Sequence, residues 1–347
     1  MPINTGSDSR FVALCRCGQR IRSRELVTPY AIPRGNWGFH GAYAMKTPST
    51  MCDTLAVTTA VGCPNACKVC PQELFVGRYR QTKGIKYLRF DCFKRCLDGM
   101  PRHVRIDFGG MGEPWSNPEC TEMILYAHEI GFKLTVFTTC VGMTISDLQQ
   151  IRHIPFVTFV VHLPDDGLNM PFPKMHGYMA VLKELCLTHI AHVSFMAMGS
   201  IHPDLQALFC DNVSGYIFTD RAGNLAGSHP IRKTGIIRCI VSQEMRRNVL
   251  LPNGDVVLCC QDWGMQNVLG NLNAGKYEDL FTSQQYRNVL ARQNSESEGD
   301  ILCRYCEWSG SRLRAKSIWV REVVKETIQP IRKRAVQVKN LFFTIRP

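Results

Sequence analysis

The sequence predicts an α/β protein, a partial TIM-type (β/α)6 barrel followed by a small C-terminal domain with a β-hairpin and a helix. Before residue 220, nearly all-apolar strand-like segments alternate with helix-like segments about six times, which is typical of a parallel sheet covered by helices. Beyond residue 226 this alternation stops. Two apolar runs then flank Pro252-Asn253-Gly254-Asp255, and Asn-Gly favours a hairpin because it tolerates positive φ.

The barrel elements follow one another in a regular order. Short apolar runs predict the strands, and the longer segments between them predict the helices. In such folds the chemistry lies at the carboxyl ends of the strands. The predicted strands are DTLAVTTAV, HVRIDFGG, KLTVFTT, FVTFVVHL, AHVSFMAMG and VSGYIFTD; the predicted helices are KYLRFDCFKRCLDGM, PECTEMILYAHEIG, ISDLQQIRHI, GYMAVLKELCL, DLQALF and, in the small domain, YEDLFTSQQYRNVLARQ.

The pattern divides the chain into four predicted parts. Residues 1–52 are a lead-in, residues 53–225 the barrel, residues 226–310 the small domain and residues 311–347 a basic extension. The extension has ten Lys or Arg against two Glu, so it holds +8 of the chain's net charge of +12. This basic tail could contact an anionic surface, an acidic partner or nucleic acid, or it could be a solvated helix.

Composition narrows the cellular setting. No run approaches the roughly 20 apolar residues of a membrane-spanning helix, and the first residues, MPINTGSDSR, lack the pattern of a secretory signal. We therefore predict a cytoplasmic protein without a transmembrane segment. Its 17 Cys would be mostly reduced there, so clustered Cys indicate metal binding or catalysis rather than disulfides.

Three Cys follow the first predicted strand with the spacing C-x3-C-x2-C, at Cys63, Cys67 and Cys70. Zinc sites instead use C-x2-C pairs and need a fourth ligand to complete a tetrahedron. Three Cys can bind three irons of a [4Fe–4S] cluster and leave the fourth iron open to a chelating small molecule. An iron–sulfur cluster is therefore the favoured interpretation, and structural zinc is the alternative.

A glycine-rich segment, DFGGMGEP, ends the second predicted strand. Glycines let the backbone approach a ligand closely and leave its N–H and C=O groups free to bind the ligand's charged groups. Together, the Cys triple and this segment resemble the radical S-adenosylmethionine (SAM) superfamily. The resemblance implies that Glu113 accepts a hydrogen bond from the ammonium group of SAM, within a SAM-binding segment made of Gly110, Met111, Gly112, Glu113 and Pro114.

The same resemblance implies further candidate residues for SAM binding and catalysis. FTTCVG ends the third strand where relatives contact the ribose, which makes Thr139 a candidate SAM contact. Cys140 is a candidate hydrogen-atom donor by its position at that strand end. Arg221, in TDRAGNL after the last barrel strand, is suited to a carboxylate of SAM or of an anionic substrate. Val69 stands where the family usually has an aromatic residue before its third Cys.

The small domain contains a second Cys set. Cys239 and Cys259 flank Gly254 as C-x14-G-x4-C, and Cys303 and Cys306 form C-x2-C. This pattern resembles the SPASM/twitch domains appended to many radical SAM enzymes, in the shorter form that implies one auxiliary [4Fe–4S] cluster on these four Cys. Zinc is again the alternative metal. Cys260 could replace Cys259, because strand alternation points only one of the two inward.

The resemblance implies an enzyme that uses both clusters and SAM, with an electron donor of the flavodoxin or ferredoxin type. Relatives cleave SAM reductively to a 5′-deoxyadenosyl radical, which removes hydrogen from an unactivated C–H bond. We expect an oxidoreductase that oxidises or epimerises a sugar, aminocyclitol or related small molecule. The alternatives are a maturase of a ribosomally made peptide, then an RNA-modifying enzyme, and, outside catalysis, a zinc-stabilised binding protein.

Overall fold

A computed structural model describes residues 53–321, apart from residues 83, 174–175, 210–212, 217 and 243. The predicted lead-in and most of the predicted basic extension lie outside these residues. The strands are β1 Thr54–Val57, β2 Arg105–Phe108, β3 Leu134–Thr138, β4 Thr158–Leu163, β5 Val193–Ala197, β6 Val213–Gly215, β7 Ile237–Cys239, β8 Arg247–Leu250, β9 Asp255–Val257, β10 Val268–Asn271 and β11 Ser309–Ser311.

Helices follow most of these strands. Short 3-10 turns span Pro114–Ser116, Pro203–Leu205, Tyr277–Phe281 and Leu302–Arg304, and residues 312–321 are helical. The α-helices are α1 Gln72–Gln81, α2 Phe90–Asp98, α3 Cys120–Glu129, α4 Ile145–Ile151, α5 Tyr178–Leu187, α6 Gln206–Phe209 and α7 Gln284–Asn294.

The six barrel strands form one parallel sheet, as the sequence predicted. Each of β1 to β5 pairs in parallel with the next strand along the chain, and the sheet ends at β6. The register places Ala56 opposite Asp107, so the carboxyl ends of β1 and β2 lie side by side. The loop with the three Cys follows β1 and the glycine-rich segment follows β2, so both emerge at the same edge.

The predicted hairpin is present and extends the same sheet. β8 pairs in parallel with β1, and β9 and β10 continue antiparallel from it, which gives the order β10-β9-β8-β1-β2-β3-β4-β5-β6. Gly254 has a φ of +89° at the turn, as the Asn-Gly pattern predicts. A separate antiparallel pair joins β7 to β11 and aligns Cys239 with Ser309. The domain boundaries stay a prediction.

The apolar core lies between the sheet and its helices. Successive residues of a strand point to opposite faces, so Ile106 and Phe108 of β2 share one face, and the Phe108 ring lies 5.8 Å from the Phe93 ring of α2. Arg105 and Asp107 point to the other face, where Arg105 Nε donates to Asp107 Oδ1 at 2.6 Å. The ion pair is almost fully buried, so each charge compensates the other.

The helix predicted over residues 277–293 is interrupted. Tyr277–Phe281 is a 3-10 turn, and α7 begins only after Ser283, whose hydroxyl accepts a hydrogen bond from Tyr286 N at 3.1 Å. This N-cap starts a new helix where the periodicity alone suggested continuity. In the described part of the chain, no helix is both long enough and apolar enough to span a bilayer.

Candidate active site

The three-Cys loop, residues 62–71, runs from the end of β1 to α1. Asn65 organises it, because its side-chain amide donates both to Cys63 Sγ at 3.4 Å and to Thr139 Oγ1 at 2.8 Å. Gln72, the first residue of α1, accepts from Cys63 N at 3.3 Å and donates to the Met111 carbonyl at 2.8 Å. The loop is therefore tied to the ends of both β2 and β3.

The thiols of this loop are partly buried and differ in their surroundings. Burial raises the pKa of Cys63 to about 11, and the nearby charge of Glu113 adds to the effect. Cys67 donates a hydrogen bond to Cys70, which raises the pKa of Cys67 and lowers that of its partner. With the guanidinium of Arg221 nearby, the pKa of Cys70 is lowered to about 7 despite its burial. The loop thus contains thiols that a metal could deprotonate and bind.

The glycine-rich segment after β2 packs tightly on the end of β1. Gly110 has a φ of +48°, and a Cβ there would lie 2.4 Å from the Thr58 hydroxyl oxygen. A Cβ on Gly112 would lie 2.8 Å from the Ala60 carbonyl oxygen. Met111 N donates to Thr58 Oγ1 at 3.0 Å. In this structure the glycines are required for close packing between two backbones, and that packing aligns Glu113 with the next strand.

Glu113 is a buried carboxylate bound to the end of β3. Its oxygens accept hydrogen bonds from Thr138 Oγ1 at 2.5 Å, Thr139 N at 2.7 Å and Thr139 Oγ1 at 2.8 Å. Burial raises the pKa of Glu113 to about 7, although these hydrogen bonds oppose the shift. Pro114 follows, and its carbonyl accepts from Thr59 Oγ1 at 2.7 Å. The carboxylate therefore has a fixed position beside the three-Cys loop.

The two neighbouring candidate residues at the end of β3, Thr139 and Cys140, have different surroundings. Thr139 lies between Asn65 and Glu113, within the network that joins the three-Cys loop to the glycine-rich segment. Cys140 is 1% exposed, has a φ of +62° and belongs to the apolar core that also contains Trp115 and Met143. Burial raises the pKa of its thiol well above the ordinary value. The role of Cys140 as a hydrogen-atom donor stays a prediction.

Arg221 lies against the three-Cys loop. Its Nε donates to the Val69 carbonyl at 3.1 Å, and its Nη2 donates to the Tyr216 hydroxyl at 2.6 Å. The Tyr216 ring lies 5.9 Å from the ring of His162 on β4. Burial and the Arg221 charge lower the pKa of His162 to about 4, so this imidazole is neutral at pH 7. A cation, a phenol and a neutral imidazole thus lie together near the Cys triple.

The second Cys set lies where three segments meet. Cys239 ends β7, Cys259 follows β9, and Cys303 and Cys306 lie in and just after the 3-10 turn Leu302–Arg304. Cys259 is an electrostatic neighbour of both Cys303 and Cys306, and each of those two also lies close to Cys239. The structure therefore brings together the four predicted auxiliary ligands.

Burial dominates the electrostatics of this second set. It raises the pKa of Cys239 and Cys306, raises that of Cys259 well above its ordinary value, and raises that of Cys303 to about 12. Cys260 is exposed and lies near Arg221. The geometry favours Cys259 over Cys260 as the fourth member of the set.

Both Cys sets fit iron–sulfur clusters by the chemistry of their donors, since soft thiolates bind such clusters. Among residues 53–321 as described, no three His, Cys, Asp or Glu side chains form a group that could hold a single metal ion. The ligands of one zinc ion must converge on one point, whereas each Cys of a four-iron cluster binds its own iron.

Residues 239–307 match the SPASM family, which is described as an iron-sulfur cluster-binding domain. This region is similar to SPASM domains. The match contains the four Cys of the second set, and it confirms the predicted auxiliary cluster as the cofactor of this part of the chain. No curated protein matches the sequence at a significant level.

A large part of the chain resembles solved structures at low sequence identity. BtrN in complex with AdoMet and 2-DOIA has a TM-score of 0.51 and 15% identity, over 76% of this chain and 94% of that chain. Streptococcus suis SuiB bound to precursor peptide SuiA has a TM-score of 0.49 and 13% identity, over 70% and 67%. Native anSMEcpe with bound AdoMet has a TM-score of 0.46 and 11% identity, over 81% and 99%. The BtrN match confirms the partial barrel fold that the sequence predicted. The SPASM match agrees with the resemblance predicted for the small domain.

Sequence patterns missed the residues that connect the motifs. Asn65 and Gln72 link the three-Cys loop to its neighbours, and Tyr216 and Glu307 contact the segment around Arg221. Each lies within five residues of a motif, yet an isolated amide, phenol or carboxylate carries no periodic or spacing signal. Only the folded contacts identify them.

Proposed function

We propose that this protein is a radical SAM enzyme with one auxiliary cluster, acting on a small molecule. One observation carries the proposal. The three-Cys loop and the Glu113 segment meet at the carboxyl ends of adjacent parallel strands, and one chain of hydrogen bonds connects Cys63 through Asn65 and Thr139 to Glu113. A group bound to these thiols would therefore lie beside a fixed carboxylate.

The residues that would hold the first cluster are Cys63, Cys67 and Cys70, which leave one iron for SAM. When bound, the cluster supplies the electron that cleaves SAM to methionine and a 5′-deoxyadenosyl radical, and that radical removes hydrogen from the substrate. The protein's own contribution is to bind and orient. Glu113 would accept from the SAM ammonium, and Thr139 would position the ribose.

Further contacts to SAM are proposed at the same edge of the sheet. SAM would bind against the backbone of Gly110, Met111, Gly112 and Pro114. Close contacts with the segment that follows β1 hold this backbone in place. Arg221 supplies a cation at the rim, suited to the SAM carboxylate or to an anionic group of the substrate. The first 4Fe–4S cluster, the second cluster and SAM are the cofactors of this proposal.

The second cluster supports an oxidation. A cluster here would be held by Cys239, Cys259, Cys303 and Cys306. With a thiolate on each of its four irons, it would leave no iron open to substrate and would serve to transfer electrons. The BtrN structure, with a TM-score of 0.51, is a complex with AdoMet and 2-DOIA. We therefore favour oxidation of a sugar or aminocyclitol alcohol, with a flavodoxin- or ferredoxin-type protein as the electron donor in the cytoplasm.

The proposal is tested by SAM cleavage and by label transfer. The anaerobically reconstituted, reduced protein should form 5′-deoxyadenosine, and the triple variant Cys63→Ala, Cys67→Ala, Cys70→Ala should form none. Deuterated sugars, aminocyclitols and peptides are then compared as substrates, and the substrate class is the one whose label enters 5′-deoxyadenosine. Formation of 5′-deoxyadenosine by the triple variant would refute the site, and label from a peptide alone would refute the small-molecule class.

A further inference from the structure

The turn Asp220–Asn224 has a strained backbone. Arg221 and Ala222 have φ values of +56° and +57°, and Gly223 follows at +79°. Left-handed backbone costs a non-glycine residue roughly 1–2 kcal/mol, so two such residues in succession persist only where the surroundings hold them. The turn is held from within, because Gly223 N donates to Asp220 Oδ1 at 3.1 Å and Asn224 N donates to the Arg221 carbonyl at 3.2 Å.

On one side, this turn contacts the three-Cys loop through a single side chain. Arg221 Nε donates to the carbonyl of Val69, the residue between Cys67 and Cys70 that immediately precedes the latter. The guanidinium also interacts directly with the Cys70 thiol. The Cζ atom of the guanidinium lies 6.0 Å from the ring centroid of Trp263, at the outer limit of a cation–π contact. The charge of Arg221 is therefore fixed beside a predicted ligand of the first cluster.

On the other side, the same turn is attached to the SPASM domain through its main chain and Asn224. The backbone N–H groups of Asp220 and Ala222 both donate to the Glu307 carboxylate, and Glu307 directly follows Cys306. The Asn224 side chain donates to the Gln261 carbonyl at 2.9 Å, two residues after Cys259. These three hydrogen bonds connect the turn to both halves of the second Cys set.

We propose that this turn is a rigid connection between the two cluster sites, which holds the Arg221 cation against the first cluster and raises that cluster's reduction potential. The proposal rests on the proposed function and assigns Arg221 a positioning and electrostatic role. Reduction adds one negative charge to a cluster, so a fixed neighbouring cation stabilises the reduced form. The strain in the turn is the cost of directing the Arg221 side chain to one loop and the adjacent N–H groups to the other.

The test is the reduction potential of the first cluster, measured by anaerobic redox titration with EPR detection. The triple variant Cys63→Ala, Cys67→Ala, Cys70→Ala retains only the auxiliary cluster and supplies its signal for subtraction. Arg221→Gln should shift the potential of the first cluster to a more negative value. Arg221→Lys keeps the charge without the planar fork and should shift it less. Iron content close to that of the unmodified protein shows that both clusters are retained in these variants.

Ala222 provides a matched pair that changes no charge. Ala222→Val places a β-branched side chain at a φ of +57°, so it should distort the turn and shift the potential in the same direction as Arg221→Gln. Ala222→Gly tolerates this φ and should leave the potential unchanged. An unchanged potential in Arg221→Gln would overturn the electrostatic role, and an unchanged potential in Ala222→Val would overturn the role of the turn.

These outcomes are distinguishable from failure of the proposed function. If the triple variant contains as much iron as the unmodified protein, the three-Cys loop holds no cluster and both proposals fail. If the first cluster is present and its EPR signal changes on addition of SAM, the proposed function stands. An unaltered potential in Arg221→Gln would then reject the electrostatic role of Arg221 and leave the proposed function intact.

Discussion

The two Cys sites of this protein differ in enclosure and in the number of thiols. The first consists of three partly buried thiols on a loop at the edge of a parallel sheet, beside a fixed carboxylate. The second consists of four thiols from three segments, and two of them, Cys303 and Cys306, are only 5% and 7% exposed. An open edge with three ligands suits an exchangeable small molecule, and an enclosed set of four suits electron transfer.

The physical origin of this difference lies in the topology. A parallel strand end is open to solvent because its helix begins only after the loop, so the first loop can admit a ligand. The second site is closed by an antiparallel pair, the β8–β9 hairpin and α7, and the amide of Gln293 donates to Cys303 Sγ at 3.6 Å. Enclosed polar contacts of this kind fix the geometry and exclude water.

The iron content of single Cys variants is the most direct test of the difference between the two Cys sites. Cys259→Ala and Cys303→Ala should each lose the auxiliary cluster and retain about half of the iron, because a fully ligated site does not tolerate the loss of one thiolate. Iron and acid-labile sulfide are measured after anaerobic reconstitution.

Cys260→Ala is the matched control for Cys259→Ala. The two residues are adjacent, but Cys260 is exposed, and Cys259 lies near Cys303 and Cys306. Cys260→Ala should keep the full iron content. The opposite result, with iron lost from Cys260→Ala and kept in Cys259→Ala, would exchange the roles of the two Cys.

Much of the fold was predictable because its signals are local. Apolar runs of strand length alternate with helices along the chain, and the structure contains the six predicted parallel strands. The hairpin was predictable from Asn253-Gly254, but its pairing with β1 was not, since nothing in the hairpin sequence specifies a partner strand that precedes it by 190 residues or more. Long-range pairing depends on which apolar faces meet in the folded chain.

The candidate site was also predictable from the sequence only in part. Cys spacing predicted which thiols cluster, and the structure brings Cys239, Cys259, Cys303 and Cys306 together. The burial of Cys140 was not predictable, because a residue that follows a strand can turn either into the core or toward the site. The left-handed φ of Cys140 decides that direction, and no sequence pattern encodes it.

A second test measures SAM binding at the first Cys site. Glu113→Gln keeps the shape of the side chain but removes the charge that would pair with the SAM ammonium. The loss of a charge-assisted hydrogen bond of about 1.5–3 kcal/mol should raise the Kd for SAM roughly 10- to 160-fold. Equilibrium dialysis of reconstituted protein measures this change. Glu122→Gln, on the exposed face of α3, is the matched control and should bind SAM normally.

The smallest expected effect concerns stability against pH beside the open site. The folded-state pKa of His162 is about 4, below its ordinary value of 6.5, because burial and Arg221 disfavour the charged form. Between these two values the unfolded chain binds more protons at this residue than the folded chain. His162 therefore contributes stability above pH 6.5, and this contribution is lost as the pH falls through about 4.

The measurement compares unfolding free energies of the wild-type protein and His162→Gln at several pH values between 4 and 6.5. One proton corresponds to a slope of about 1.4 kcal/mol per pH unit, so the difference between the two proteins should grow with pH by up to that amount per unit. His153→Gln, at an exposed position after α4, should behave as the wild type. A pH-independent difference for His162→Gln would show that the imidazole is not held neutral, and the environment inferred for the Arg221 cation would then have to be more hydrated than its contacts indicate.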